Sequence, residues 1–355
     1  LLEMRISFKK IIDSYEKSIS KYDHFFKSDH WQRGYKKKNQ LFSFKNLKNF
    51  RNNSLSFGLD TRVGSTDNQN KLYNELQNKI GFDFVNSHLT KKNVGNLKNC
   101  LKNKDKFIDP NSLFHIDCIN EIISCTKKVN KRTNLICEIG AGFGSLSRLF
   151  VNTFQDSKII IIDLPEANFL SSYYLLKNFP QKNFLFYSDL KENLLSEEKL
   201  NNKDIIIIPP WVKLDSLKVD IYTNVRSFME MDSNVIEYYF ETIQNNISDD
   251  GIFVNINRYD KRTVGYPIRF ENYPYDKDWS VLISKKTWNH SNVHTLIVKR
   301  DYKLSNIFEV LKKIKWLRKK NNLKINKHFL KNILPHDLFL FLQKIKHYLV
   351  KKNNK

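Results

Sequence analysis

No stretch of this chain stays apolar over the roughly 18 residues that a membrane span needs. The first residues, Leu1-Leu2-Glu3-Met4-Arg5, lack the apolar core of a secretory signal. Both features point to a cytoplasmic protein, with Met4 expected as its start. Cysteine is sparse, and the four present (Cys100, Cys118, Cys125, Cys137) form no Cys-x-x-Cys pair. Buried thiols in a reducing compartment are therefore expected, rather than disulfides or a thiolate metal site. No spacing of Asp, Glu or His demands a divalent ion, so no metal is expected either. No internal repeat is visible. Acidic residues are in short supply, 37 against 60 Lys and Arg, which leaves a net charge of +23. Spread over the body, that excess would suggest nucleic acid. It is not spread: residues 1–60 carry +7, residues 302–355 carry +13, and residues 61–301 hold only +3. The near-neutral body, with no recognised RNA module, argues against nucleic acid as the partner.

What is present is enough apolar material, 41% of 355 residues, for a real core in one large domain or two modest ones. The chain is organised around Leu135-Ile136-Cys137-Glu138-Ile139-Gly140-Ala141-Gly142-Phe143-Gly144, a buried-strand pattern that runs into three glycines at alternate positions. Residues 145–154 follow, with Leu146, Leu149, Phe150 and Phe154 on one helical face. The segment reads as strand, tight turn, helix, and its glycines let backbone approach a ligand. Lys158-Ile159-Ile160-Ile161-Ile162-Asp163 is a second apolar run. It ends in a carboxylate about 20 residues past the loop, where a two-layer nucleotide fold places an acid on ribose hydroxyls.

A dinucleotide fold would want Gly-x-Gly-x-x-Gly; here the third glycine comes one residue early. Glu138-x-Gly140-x-Gly142-x-Gly144 instead resembles the first motif of class I S-adenosylmethionine-dependent methyltransferases. The resemblance implies an α/β, Rossmann-like sheet with helices on both faces. It also implies S-adenosylmethionine held by Glu138, Gly140, Gly142, Gly144, Asp163 and Leu164. Alternation of strand and helix from Leu135 onward agrees with a parallel sheet, the second helix starting at Pro165-Glu166. Two runs then fit a third strand by spacing. Residues 184–189 end in Asp189, suited to the adenine amine, and residues 204–211 end in Pro209-Pro210-Trp211, so Asp189 and Trp211 stand as alternative adenine-pocket residues. Pro209-Pro210-Trp211 is similar to the Pro-Pro-aromatic motif of amino methyltransferases. Those have an acceptor side chain ahead of the prolines, whereas Ile208 offers none, so transfer to oxygen is expected rather than to nitrogen. Residues 219–224 read as the fourth strand, 235–247 as a helix, 251–257 as the fifth strand, and 281–283 with 294–298 as a final hairpin.

Taken together, Glu138–Gly144, Ile162-Asp163-Leu164-Pro165-Glu166, Tyr174-Leu175, Pro209-Pro210-Trp211, Asn224-x-x-Ser227-Phe228-x-Glu230-Met231 and Asn257 resemble the bacterial sugar O-methyltransferase family over residues 114–259. That resemblance implies methylation of a sugar hydroxyl in a surface glycan or in its nucleotide- or lipid-linked precursor. Removing the hydroxyl proton needs a positioned base. Glu230, after the fourth strand, is the first candidate, and His290, able to titrate near neutrality, is the second. Asn224, Arg226 and Ser227 are placed to bind the acceptor. Two other classes of function compete: an RNA-modifying methyltransferase using the basic flanks, and a non-catalytic assembly partner built on the same fold.

The flanks lie outside the motifs. Residues 1–110 read as a helical and loop cap: a helix over residues 4–30, then Trp31, Phe42, Phe44, Phe50 and Phe57 as apolar anchors. Residues 47–51 and 58–62 look like a loop able to reach a ligand, and residues 71–105 like short helices broken at Gly81 and Gly95. Residues 111–301 form the cofactor-binding domain, opening with a helix over 112–129 that carries His115 near the cofactor entrance. Residues 302–355 read as a basic amphipathic helical tail. There Leu311-Lys312-Lys313-Ile314-Lys315-Trp316 and the later run Leu338-Phe339-Leu340-Phe341-Leu342 suit peripheral contact with the anionic inner face of a membrane.

Overall fold

The isoleucine runs at residues 159–162 and 205–208 are buried on both faces, as a strand must be when layers cover it on either side. Their β-branched side chains suit that setting. In the computed structural model, which describes residues 2–28, 31–32, 44–52, 64–130, 132–301 and 305–333, both runs lie inside an eight-stranded sheet. Its strands are β1 (Leu135–Ile139), β2 (Lys158–Ile162), β3 (Phe184–Phe186), β4 (Ile205–Ile208), β5 (Val219–Val225), β6 (Ile247–Arg258), β7 (Trp279–Lys286) and β8 (Val293–Arg300). Their lateral order is β7-β8-β6-β5-β1-β2-β4-β3. The first six in sequence pair in parallel, and β8 and β7 close one edge antiparallel. The helices of seven or more residues among the described residues are α1 (Leu2–Ser20), α2 (Thr66–Ile80), α3 (Phe82–His88), α4 (Pro110–Val129), α5 (Ser145–Thr153), α6 (Pro165–Asn178), α7 (Ser233–Asn246) and α8 (Ile307–Ile333).

Alternate residues of the same strands enter two separate cores. Ile159, Ile161, Ile205 and Ile207 join α4, α5 and α6 on one face; Ile160, Ile162, Ile206 and Ile208 join α7 and the start of α8 on the other. The α/β architecture expected from the sequence is therefore present. The chain builds outward from β1 in one direction and returns to build β5 and β6 in the other, so strand order reverses between β1 and β5. In open α/β sheets the crevice outside the carboxyl ends of the strands at such a reversal is where ligands bind.

Several sequence expectations change. Both candidate third strands are real, because the chain leaves α6 for the outermost β3 and comes back to lay β4 beside β2. The N-terminal helix stops at Ser20 rather than near residue 30: Asp23 accepts from Phe25 N and caps a short 3-10 turn, His24–Phe26. Residues 101–108 form a two-stranded ladder, not a helix, turned by Lys104 in the left-handed region (φ 53°). Phe42, Phe57 and residues 58–62 lie outside the described residues, as does the apolar run at 338–342.

The cap packs directly on the sheet domain. Phe8 and Tyr15 of α1 meet Tyr173 and Phe169 of α6, and Lys17 donates to the carbonyls of Tyr187 and Leu190. Leu47 and Phe50 are fully buried, with Phe50 5.5 Å from the ring of Phe143 in the glycine loop. At the other end Ile307, Leu311 and Ile314 bury one stripe of α8, and Arg318 forks onto Glu271. Phe308 and Trp316 are left exposed on α8. Among the described residues no helix is long and apolar enough to cross a membrane. The four cysteines are free thiols, three of them buried.

Candidate active site

Gly140, Gly142 and Gly144 all have positive φ (75°, 60° and 87°), which L side chains rarely adopt. At Gly140 space is also lacking: a Cβ there would overlap Cβ and Oγ of Ser227. Gly140→Ala is expected to destabilise the protein by about 2 to 4 kcal/mol. Ser227→Gly should recover part of that loss in a double-mutant cycle followed by urea unfolding, because it removes the overlap and leaves only the φ strain.

The loop closes on Asp163 just past β2. Gly140 N donates to Ile162 O (2.8 Å). The Asp163 carboxylate accepts from Gly142 N and from Leu164 N, each at 2.7 Å. Asn168 donates to Asp163 O and to Ile208 O, tying the ends of β2 and β4 together. Burial pushes the Asp163 carboxyl up to about 7 despite its two backbone donors, and Glu166 and Glu230 push the same way.

Glu138 is the penultimate residue of β1, 3% exposed, and accepts from the Ser147 hydroxyl of α5. That bond ties the end of β1 to the helix behind the loop. Burial raises it to about 7 from a usual value of 4.5. A carboxyl raised in this way favours the fold most below pH 4.5, and that contribution disappears as pH climbs through 7. Glu138→Gln, which can still accept from Ser147, is therefore expected to stabilise the protein above pH 7 by about 3 kcal/mol and to do little near pH 4. Chemical denaturation across this pH range measures the effect.

The two adenine-pocket alternatives separate. Asp189 lies beyond the outermost strand, where its carboxylate caps Phe186 N (3.0 Å) and pairs with Lys10 of α1 (2.7 Å). Both interactions are structural, and the residue is one strand removed from β4. Trp211 follows β4 beside β2, is 8% exposed, and donates to the Tyr187 hydroxyl (3.2 Å). Its ring centroid is 5.5 Å from that of Tyr22.

Tyr22 opens a segment that sequence reasoning missed. After α1 ends, the chain crosses the carboxyl edge of the sheet. Lys27 pairs with Glu166 (2.7 Å), and Ser28 Oγ donates to Glu230 O (2.9 Å). The Tyr22 hydroxyl and Glu166 Oε2 are buried without a hydrogen-bond partner, and the charges of Glu166 and Asp163 add to burial in raising the Tyr22 phenol. The available signal was the loss of apolar periodicity after Tyr22, which marks where the helix gives way to the strap.

On the β5 side, Asn224 is fully buried. Its amide donates to Ile139 O (3.0 Å) and its carbonyl accepts from Phe228 N and from Asn257 Nδ2 (2.9 Å each). Enclosed in this way it locks the following turn and has no route to an acceptor, which replaces the expectation that it binds one. Ser227 lies against the bare face of Gly140. Arg226 holds a left-handed backbone (φ 61°), costly for a side chain of its size, and sets its guanidinium 6.0 Å from the centroid of Phe114. Glu230, on the turn Phe228–Glu230, forms an ion pair with Lys261.

Two histidines lie beside Arg226. His290 meets Phe114 edge-on at 4.9 Å, and burial, then Arg226 and Arg258, lower it to about 4. His115 bonds Ser145 Oγ (3.0 Å) at the start of α5, lowered to about 3 by burial first. His294 is a core residue held by Tyr259 and Ser284. A cleft of about 460 Å³ lined by Thr126, Arg132, Thr133 and Asp156 lies elsewhere, at the amino ends of β1 and β2. That edge of the sheet carries none of these groups.

No family model and no curated protein matches the chain. It is similar to solved structures at low identity. An S-adenosylmethionine-dependent methyltransferase from Clostridium acetobutylicum is 14% identical over 53% of this chain and 92% of its own, with a TM-score of 0.36. Mitomycin 7-O-methyltransferase is 15% identical over 53% and 56%, with a TM-score of 0.34. Coclaurine N-methyltransferase, bound to N-methylheliamine and S-adenosylhomocysteine, is 12% identical over 72% and 76%, with a TM-score of 0.33.

Proposed function

We propose that this chain is an S-adenosylmethionine-dependent O-methyltransferase acting on a sugar hydroxyl of a surface glycan or its precursor. The observation that carries the cofactor is Asp163 at the strand-order reversal. A carboxylate offers about four acceptor sites; two are taken by Gly142 N and Leu164 N, and the others remain for ribose hydroxyls. The rest of the crevice fits the same ligand. Tyr22 and Trp211 offer aromatic surface for the adenine ring, and the orphaned Tyr22 hydroxyl and Glu166 Oε2 are polar groups that lack partners. When bound, the cofactor supplies an electrophilic methyl on a sulfonium.

The chain's own residues then align the acceptor and take its proton. Glu230 would hold the proton that the acceptor hydroxyl gives up, and Lys261 steadies the carboxylate in place. His290, lowered to about 4, is a neutral imidazole at pH 7 and can accept a hydrogen bond from a neighbouring hydroxyl. Calorimetry tests the cofactor: micromolar binding of S-adenosylhomocysteine is expected, whereas tight NAD binding without it ends the reading.

The tail is read as a membrane contact. On α8 the exposed Phe308 and Trp316 share the surface with Lys312, Lys315, Lys319 and Lys320, an apolar-basic mixture suited to anionic headgroups. The full chain is expected to sediment with anionic vesicles at low salt and to be released as salt rises, with weaker binding after Trp316→Ala. No sedimentation at low salt removes the membrane from the proposal.

A further inference from the structure

Three cations gather at the carboxyl ends of β5 and β6. Arg226 N donates to Ile256 O (2.7 Å), and Val225 is in register with Ile256, so Arg226 and Arg258 leave neighbouring strands side by side. Lys261 follows in the short ladder Asp260–Lys261 with Ile268–Arg269. His290, on the turn between β7 and β8, is close enough for both guanidinium groups to oppose its protonation, and the two also oppose the charge of Lys261. Glu230 forms an ion pair with Lys261. Among the described residues no carboxylate lies within ion-pair distance of Arg258. Its Nε is buried without an acceptor, a costly state for a charged donor.

We propose that the acceptor is an anionic sugar derivative, a phosphate ester or a uronate, whose charged group is held by Arg258 with Arg226 and Lys261 beside it. The inference rests on the methyltransferase reading and names the substrate class for the same crevice. Arg258 stands on β6, two strand spacings, about 10 Å, from the β1 loop that cradles the cofactor. That places it on the acceptor's side. A planar guanidinium matches the two-oxygen edge of a phosphate or carboxylate. Such a group would also supply the acceptor that Arg258 Nε lacks and anchor the sugar next to Glu230.

The test uses the full chain saturated with S-adenosylhomocysteine and titrated calorimetrically with inorganic phosphate and, separately, with glucuronate. Saturable binding of at least one anion is expected, and the stronger of the two tells the phosphate ester from the uronate. Arg258→Gln should weaken it about tenfold or more while leaving S-adenosylhomocysteine affinity unchanged. Arg258→Lys, which keeps the charge but loses the fork, should weaken it less and serves if the glutamine variant does not fold. Failure to bind S-adenosylhomocysteine sinks the methyltransferase reading itself. Cofactor binding with no saturable uptake of either anion, or with uptake unchanged in Arg258→Gln, overturns the anion site alone. A fall in cofactor affinity in a folded Arg258→Gln also overturns it, since Arg258 would then serve the cofactor's own carboxylate.

Discussion

Asp163→Ala is expected to weaken S-adenosylmethionine binding by roughly ten- to hundredfold, the value of charge-assisted hydrogen bonds to two ribose hydroxyls. The loss has two parts. The variant removes the acceptor of the ribose, and it releases Gly142 N, which now donates to that carboxylate at 2.7 Å and holds the loop in its cradle. Asp163 also gives the binding a pH signature. Burial raises its carboxyl to about 7 in the free protein, and the ribose needs the ionised form. Affinity should therefore be full above pH 7 and fall by up to tenfold per unit as pH drops below it. Calorimetric titration with S-adenosylhomocysteine between pH 5.5 and 8.5 should show this slope in the native protein and lose it in Asp163→Asn. A flat profile with unimpaired binding in Asp163→Ala would remove Asp163 from the cofactor site.

The glycine loop and Asp163 were legible in the sequence because local rules fix them. An apolar run stops at residues that alone tolerate positive φ, and the next run stops at an acid. Lateral order was not legible in the same way. Residues 184–189 and 204–211 both read as strands, and both are strands, but only tertiary pairing tells that β4 inserts between β2 and β3 and so leaves Asp189 on the far side. Asn224 misled for a related reason. A polar residue at a strand's carboxyl end suggests a ligand contact, yet its amide is enclosed by Ile139, Phe228 and Asn257, partners brought together from three separate segments. Tyr22, Lys27 and Ser28 come from a stretch without any motif, some 140 residues before Asp163. Their importance arises only from the way α1 docks on α6 and delivers the chain across the crevice.

Glu230→Gln is expected to reduce methyl transfer by roughly a hundredfold or more while cofactor affinity stays nearly intact. The turn that carries Glu230 is held from several sides: Asn224 fixes Phe228 N, Ser28 Oγ reaches Glu230 O, and Thr263 Oγ1 reaches Met229 O (3.0 Å). The carboxylate is thus positioned by the fold rather than by its ion pair alone. Glutamine keeps the shape and can still accept from Lys261, so the substitution removes basicity with little change in packing. A structural role would be preserved by it; a proton-accepting role would not. Lys261 sharpens the distinction. Burial lowers its pKa even beside Glu230, so Lys261→Met should leave a base in place and affect the pH dependence of turnover more than its maximum. The measurement is steady-state transfer to a sugar acceptor, with S-adenosylhomocysteine affinity determined in parallel. Native turnover in Glu230→Gln, together with an inactive His290→Ala, would move the proton to the His290 imidazole, 4.9 Å from the Phe114 ring and already neutral at pH 7.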